Sequence, residues 1–136
     1  MKLDQSLVNN KIIKKIILTL IISLISTVSF AGMSNSDKSK TIECTGIYYA
    51  NSMIPQGELE LEKIVQSFAA KKFLNSHLIK EGVEEEKLNK KILEIVDSRY
   101  GKPYDEETTR ECDNFIFKLI PGSQDEIKKI AESGIY

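Results

Sequence analysis

The chain has 136 residues, with 19 basic and 20 acidic side chains and one histidine, for a formal net charge of −1. That balance argues against the net basic face that phosphate recognition needs, so nucleic acid is not an expected partner. The length suits one domain, and no internal repeat or low-complexity stretch divides it.

Residues 1–31 read as a secretory signal peptide. A polar start with Lys2, Lys11, Lys14 and Lys15 leads into the apolar run IILTLIISLISTVSF. Ser29-Phe30-Ala31 then puts small residues where a signal peptidase reads, so cleavage is expected after Ala31. The alternative is an uncleaved anchor, but the run is shorter than the ~20 residues a spanning helix needs. No cysteine follows it, so a lipid anchor is not expected and no membrane attachment should survive cleavage. The expected location is the periplasm or the medium. Losing four lysines and Asp4 leaves 15 basic and 19 acidic residues, a net charge of −4.

Gly32 to Lys40, GMSNSDKSK, is small and polar and reads as a disordered mature N-terminus. A single domain is expected over residues 41–136. Thr41 to Ile54 is predicted as its first helix, because Cys44, Ile47, Tyr48 and Asn51 fall at i, i+3, i+4 and i+7. Gly46 weakens a helix by roughly 1 kcal/mol against alanine, which a closely approaching neighbour would justify. Tyr49 and Met53 lie off the stripe, and Pro55-Gln56-Gly57 makes a turn.

Glu58 to Glu81 is predicted as one long helix. It is apolar on several sides: Leu61, Ile64, Val65, Phe68 and Ile79 on one face, Leu59, Ala70 and Phe73 on another, Leu74 and Leu78 on a third. Such a helix is expected to be central, with neighbours all round. The alternation Glu58-Leu59-Glu60-Leu61-Glu62 is a competing strand signal. Gly82 should stop the helix. Val83 to Tyr100 is the third, with acids in its first turn and the stripe Leu88, Ile92, Ile95, Val96 and Tyr100. Gly101 ends it.

Asp105 should cap a fourth helix that runs to Ile120. Cys112, Phe115, Ile116 and Leu119 repeat the spacing seen around Cys44, so the two sulfurs can meet between facing helices. Phe117 points away from this stripe. Ser123 to Glu126 reads as a capping box for a short fifth helix ending at Gly134. Ile135-Tyr136 is apolar enough to dock on the body. The expected fold is therefore all-α, a small bundle of about five helices with one disulfide.

In an oxidising compartment Cys44 and Cys112 most often bond to each other. The alternatives are a free nucleophile or a metal ligand. Nucleophilic catalysis wants a base, and His77 is the only imidazole. Zinc wants about four clustered ligands, which the spacing does not offer. The acid runs Glu84–Glu86 and Asp105–Glu107 begin helices, where the dipole favours negative charge. The lysine pairs Lys71-Lys72, Lys90-Lys91 and Lys128-Lys129 read as solvated faces. No nucleophile elbow or phosphate loop is present. The expectation is a non-enzyme without metal or cofactor, acting by binding a protein. Tyr49, Met53, Phe73 and Phe117 are the candidates for the contact patch, since aromatics and Met are enriched at interfaces. Their competing role is to fill a second side of the core.

A signal peptide, a helix with one cysteine (TIECTGIYY), a helical body and a late helix with the second (ECDNFIFKLI) together resemble a known family. These are the small periplasmic immunity proteins of type VI secretion systems. The resemblance implies an all-α fold, one disulfide, frequent dimers and inhibition of a peptidoglycan amidase toxin. The tyrosine usual after the family's second cysteine is absent; Phe115 and Phe117 occupy that neighbourhood. Periplasmic acid-stress chaperones share the layout, and an accessory component of the cell envelope is a third reading.

Overall fold

The structure is a computed structural model and describes residues 32–134. The expected signal peptide and the terminal Ile135-Tyr136 lie outside the described residues. Five helices follow in order: α1 (Asn35–Ser52), α2 (Leu61–Lys80), α3 (Glu85–Arg99), α4 (Glu106–Leu119) and α5 (Ser123–Glu132). No strand occurs among the described residues, and the bundle is all-α with one disulfide. The alternating acids before α2 leave only an isolated bridge between Gln56 and Leu59 in the α1–α2 link.

The first helix starts earlier than its apolar stripe. Ser34 caps it, its hydroxyl oxygen accepting from the Asp37 amide at 3.1 Å. That satisfies one of the orphan donors of the first turn. The Met33 amide donates to Glu81 Oε2 at 2.8 Å, pinning the entry to the end of α2. The disorder expected over residues 32–40 is therefore corrected: most of that stretch is the opening of α1.

The hub is α1, which packs against α2, α3 and α4. Cys44, Ile47, Tyr48 and Asn51 are all buried, as their spacing predicts. Thr41 and Thr45 are buried beside them. Each hydroxyl donates to the carbonyl four residues back at 2.7 Å, so neither leaves an unsatisfied group in the core. The expectation that the long second helix is central is overturned. Leu61 is 57% exposed and Ile79 38% exposed, and the buried face of α2 is Ser67, Ala69, Ala70, Leu74 and Leu78. The small residues on that face let two helix backbones approach, which outweighs the number of apolar side chains on the others.

Two apolar clusters result. One surrounds the Cys44–Cys112 bond and takes in Ile47, Tyr48, Leu74, Ile116 and Ile127. The other joins Ile42 and Leu78 to the α3 stripe of Leu88, Ile92 and Val96. Gly46 is where α3 comes closest: a Cβ added there would stand 2.7 Å from both Cβ and Cγ2 of Ile95. The predicted capping box is corrected. Gly122, at φ 83°, caps α5 instead, and Ser123 is its buried first residue, donating to the Ile116 carbonyl at 3.5 Å. Asp105 does cap α4, accepting from the Thr108 amide at 3.0 Å.

Candidate functional site

Of the recesses among the described residues, two gather residues of several elements and matter most for function. The first lies at one end of the bundle, where the α1–α2 and α3–α4 links come together. Its volume is about 420 Å³. Met53, Ile54 and Pro55 supply one wall, and Tyr100 and Pro103 the other. Met53 is 50% exposed and Tyr100 is 80% exposed. Tyr100 was expected in the buried stripe of the third helix. The helix ends at Arg99, and Tyr100 itself takes an extended backbone (φ −57°, ψ 131°) that swings it out. Arg99 and Lys102 also line the groove, with Glu58 as its one acid.

The second recess runs along the side. The helices α2 and α4 barely touch each other; each is held by α1 and by α5. A cleft of about 230 Å³ opens between them with Tyr48 of α1 as its floor. The Tyr48 hydroxyl donates to Asp113 Oδ1 at 2.5 Å. Beside it, Asn51 Nδ2 donates to Thr109 Oγ1 at 3.0 Å, a second tie from α1 to α4. Among the described residues no cation pairs with Asp113. Burial raises its pKa above the ordinary carboxylate value, and the bond from Tyr48 only partly offsets this. Burial also raises the Tyr48 pKa, and the neighbouring Asp113 charge adds to the effect, so the phenol stays protonated and donates. Lys63 reaches over from α2 to place its ammonium 5.3 Å from the Tyr104 ring centre.

The four residues expected to form a contact patch are dispersed. Met53 is in the end groove. Phe117 is half-buried in the wall of the side cleft. Tyr49 is half-buried against the α3 cluster, with the Lys71 ammonium 4.5 Å from its ring centre. Phe73 packs on the disulfide cluster and stacks on His77 at 6.0 Å. That contact accounts for the lone histidine, whose Nε2 also lies 3.9 Å from Glu81 Oε1. Both cysteines are consumed in the Cys44–Cys112 bond, with Cα atoms 5.5 Å apart, so neither sulfur offers a thiolate. No group of three His, Cys, Asp or Glu side chains fit to hold a metal occurs among the described residues.

Three features escaped the sequence reading: the exposure of Tyr100, the Tyr48–Asp113 pair, and the cleft between α2 and α4. One signal for the pair was present. Thr109, Asp113 and Phe117 recur every four residues and so share a face of α4 beside the cysteine stripe. Comparison with family models, with curated proteins and with solved structures finds no match to this chain.

Proposed function

We propose that this chain is an exported, non-enzymatic binding protein, and most specifically an immunity-type inhibitor of a cell-wall hydrolase. The observation that carries the reading is the end groove. Two different links present Met53 and Tyr100 there, largely in water, around a recess framed by two prolines. Exposed large apolar groups gathered around one concavity mark contact sites. The prolines stiffen both links, which lowers the ordering cost of docking. Arg99 and Lys102 against a single Glu58 favour an apolar segment that carries carboxylates. The Cys44–Cys112 bond supports an oxidising compartment, where a cell-wall hydrolase would be met.

The test is co-expression with a hydrolase encoded beside this gene. The two should co-purify, and the hydrolase should lose activity on peptidoglycan. Absence of binding to any such neighbour at micromolar concentration overturns the proposal.

A further inference from the structure

The side cleft has a charge layout that the end groove does not share. At its floor sits the half-buried carboxylate of Asp113, hydrogen-bonded to a phenol and facing no cation. The walls add the rings of Tyr104 and Phe117. Lys63 and Lys128 also line the cleft, one on each of two other helices. Lys128 is held only loosely, its ammonium 3.9 Å from Glu132 Oε1 with the side chain 70% exposed. Ala70 and Ile127 extend the apolar part of the lining that Phe117 begins.

We propose that this cleft binds a small zwitterion of free amino-acid size, its ammonium on Asp113 and its carboxylate on Lys128 or Lys63. A carboxylate that faces no cation favours an ammonium by direct, charge-assisted pairing. A simple anion would meet Asp113, and a simple cation would meet the two lysines. A ligand carrying both charges can pair with both kinds of group in the lining. Its body must be apolar to cover Ala70, Ile127 and Phe117. A recess of about 230 Å³ is smaller than the ~300–1,000 Å³ usual for drug-sized ligands, which restricts the ligand to less than drug size. A desolvated carboxylate also gains more from a paired ammonium than one in water does. The site stands whether or not the end groove takes a protein.

The test uses the oxidised mature protein, nitrogen-15 labelled, titrated with L-leucine. Two analogues each lack one charge: 3-methylbutylamine and 4-methylpentanoate. Leucine should shift the amide signals of Asp113 and Phe117, and each analogue should bind at least about tenfold more weakly, the ratio that one lost ion pair of moderate strength produces. Asp113→Asn keeps an acceptor for Tyr48 and should lower leucine affinity about tenfold. Lys128→Gln alters only an exposed side chain and should weaken leucine binding in the same direction. The proposal is overturned if millimolar leucine moves neither signal, if the amine alone binds as well as leucine, or if both variants bind leucine like the parent.

Discussion

Replacing Cys44 and Cys112 together by alanine removes the covalent tie between α1 and α4. The bond closes a loop with a sequence separation of 68. Chain-entropy reasoning gives about 4 kcal/mol for a loop of that length. The structure says where the loss should fall. The helix α4 packs thinly on α1 and α5 and barely meets α2, so it has the weakest restraints besides the bond. Both sulfurs are fully buried, at 0% and 1% exposure, and alanine leaves part of that space unfilled, adding to the cost. For a domain of this size each kcal/mol moves the melting midpoint by about 4–8 °C, so the midpoint should drop by about 15–30 °C. Far-UV circular dichroism measures the drop, and hydrogen exchange should show α4 losing protection before α3. A drop below about 5 °C, or equal loss of protection in α3 and α4, refutes the reasoning.

Gly46→Ala gains helix propensity of ~1 kcal/mol but drives a methyl into Ile95, and overpacking of that kind costs ~1–3 kcal/mol. The variant should be less stable than the parent in urea, and a gain in stability would contradict the close approach of α1 and α3. Tyr48→Phe strips Asp113 of its donor inside the cleft and should cost about 1–3 kcal/mol by the same assay. Asp113 has a folded-state pKa raised above its unfolded value, so the folded state binds more protons between the two. Its contribution to stability is therefore present at low pH and lost as pH rises from about 4 through the folded pKa. Asp105 is shifted down by its Thr108 bonds and works in the opposite sense, so the effect is read as a difference between the parent and Asp113→Asn. The Asn variant should gain stability relative to the parent as pH rises toward 7 and lose that advantage near pH 4, roughly the ordinary carboxylate value.

Much of the fold was legible because it rests on local rules. The stripes around Cys44 and Cys112 placed the sulfurs on facing helices, and Gly46 announced a close neighbour that proves to be Ile95. Asp105 read correctly as a cap because the residues of its first turn follow at once. The errors come from weighing apolar count above shape. The buried face of α2 is built on Ser67, Ala69 and Ala70, which periodicity of large apolar residues cannot rank. Composition alone makes the opening of α1 look disordered, although Ser34 and Asp37 hold a capping pattern. Ser123 sits one place too late to cap α5, because Gly122 with its positive φ takes that role. The four contact candidates do not converge on one patch, for a different reason. Helical spacing says which residues leave a stripe, not what else they meet. Tyr49, Phe73 and Phe117 each found a neighbouring helix, and only Met53 stayed in water. The Tyr48–Asp113 bond joins residues 65 apart in the chain, so periodicity can put Asp113 on a shared face of α4 but cannot name its partner.

The proposed function centres on protein recognition at the end groove. The direct measurement is titration of any hydrolase encoded beside this gene with the parent chain and with a Met53→Ala/Tyr100→Ala variant, reading peptidoglycan hydrolysis. Both substitutions lie at exposed positions, so the variant should keep its fold and its melting midpoint. The account predicts stoichiometric inhibition by the parent and inhibition weakened at least about tenfold in the variant, the scale expected for truncating two interface anchors. Inhibition equal in both, or absent in both, would contradict it.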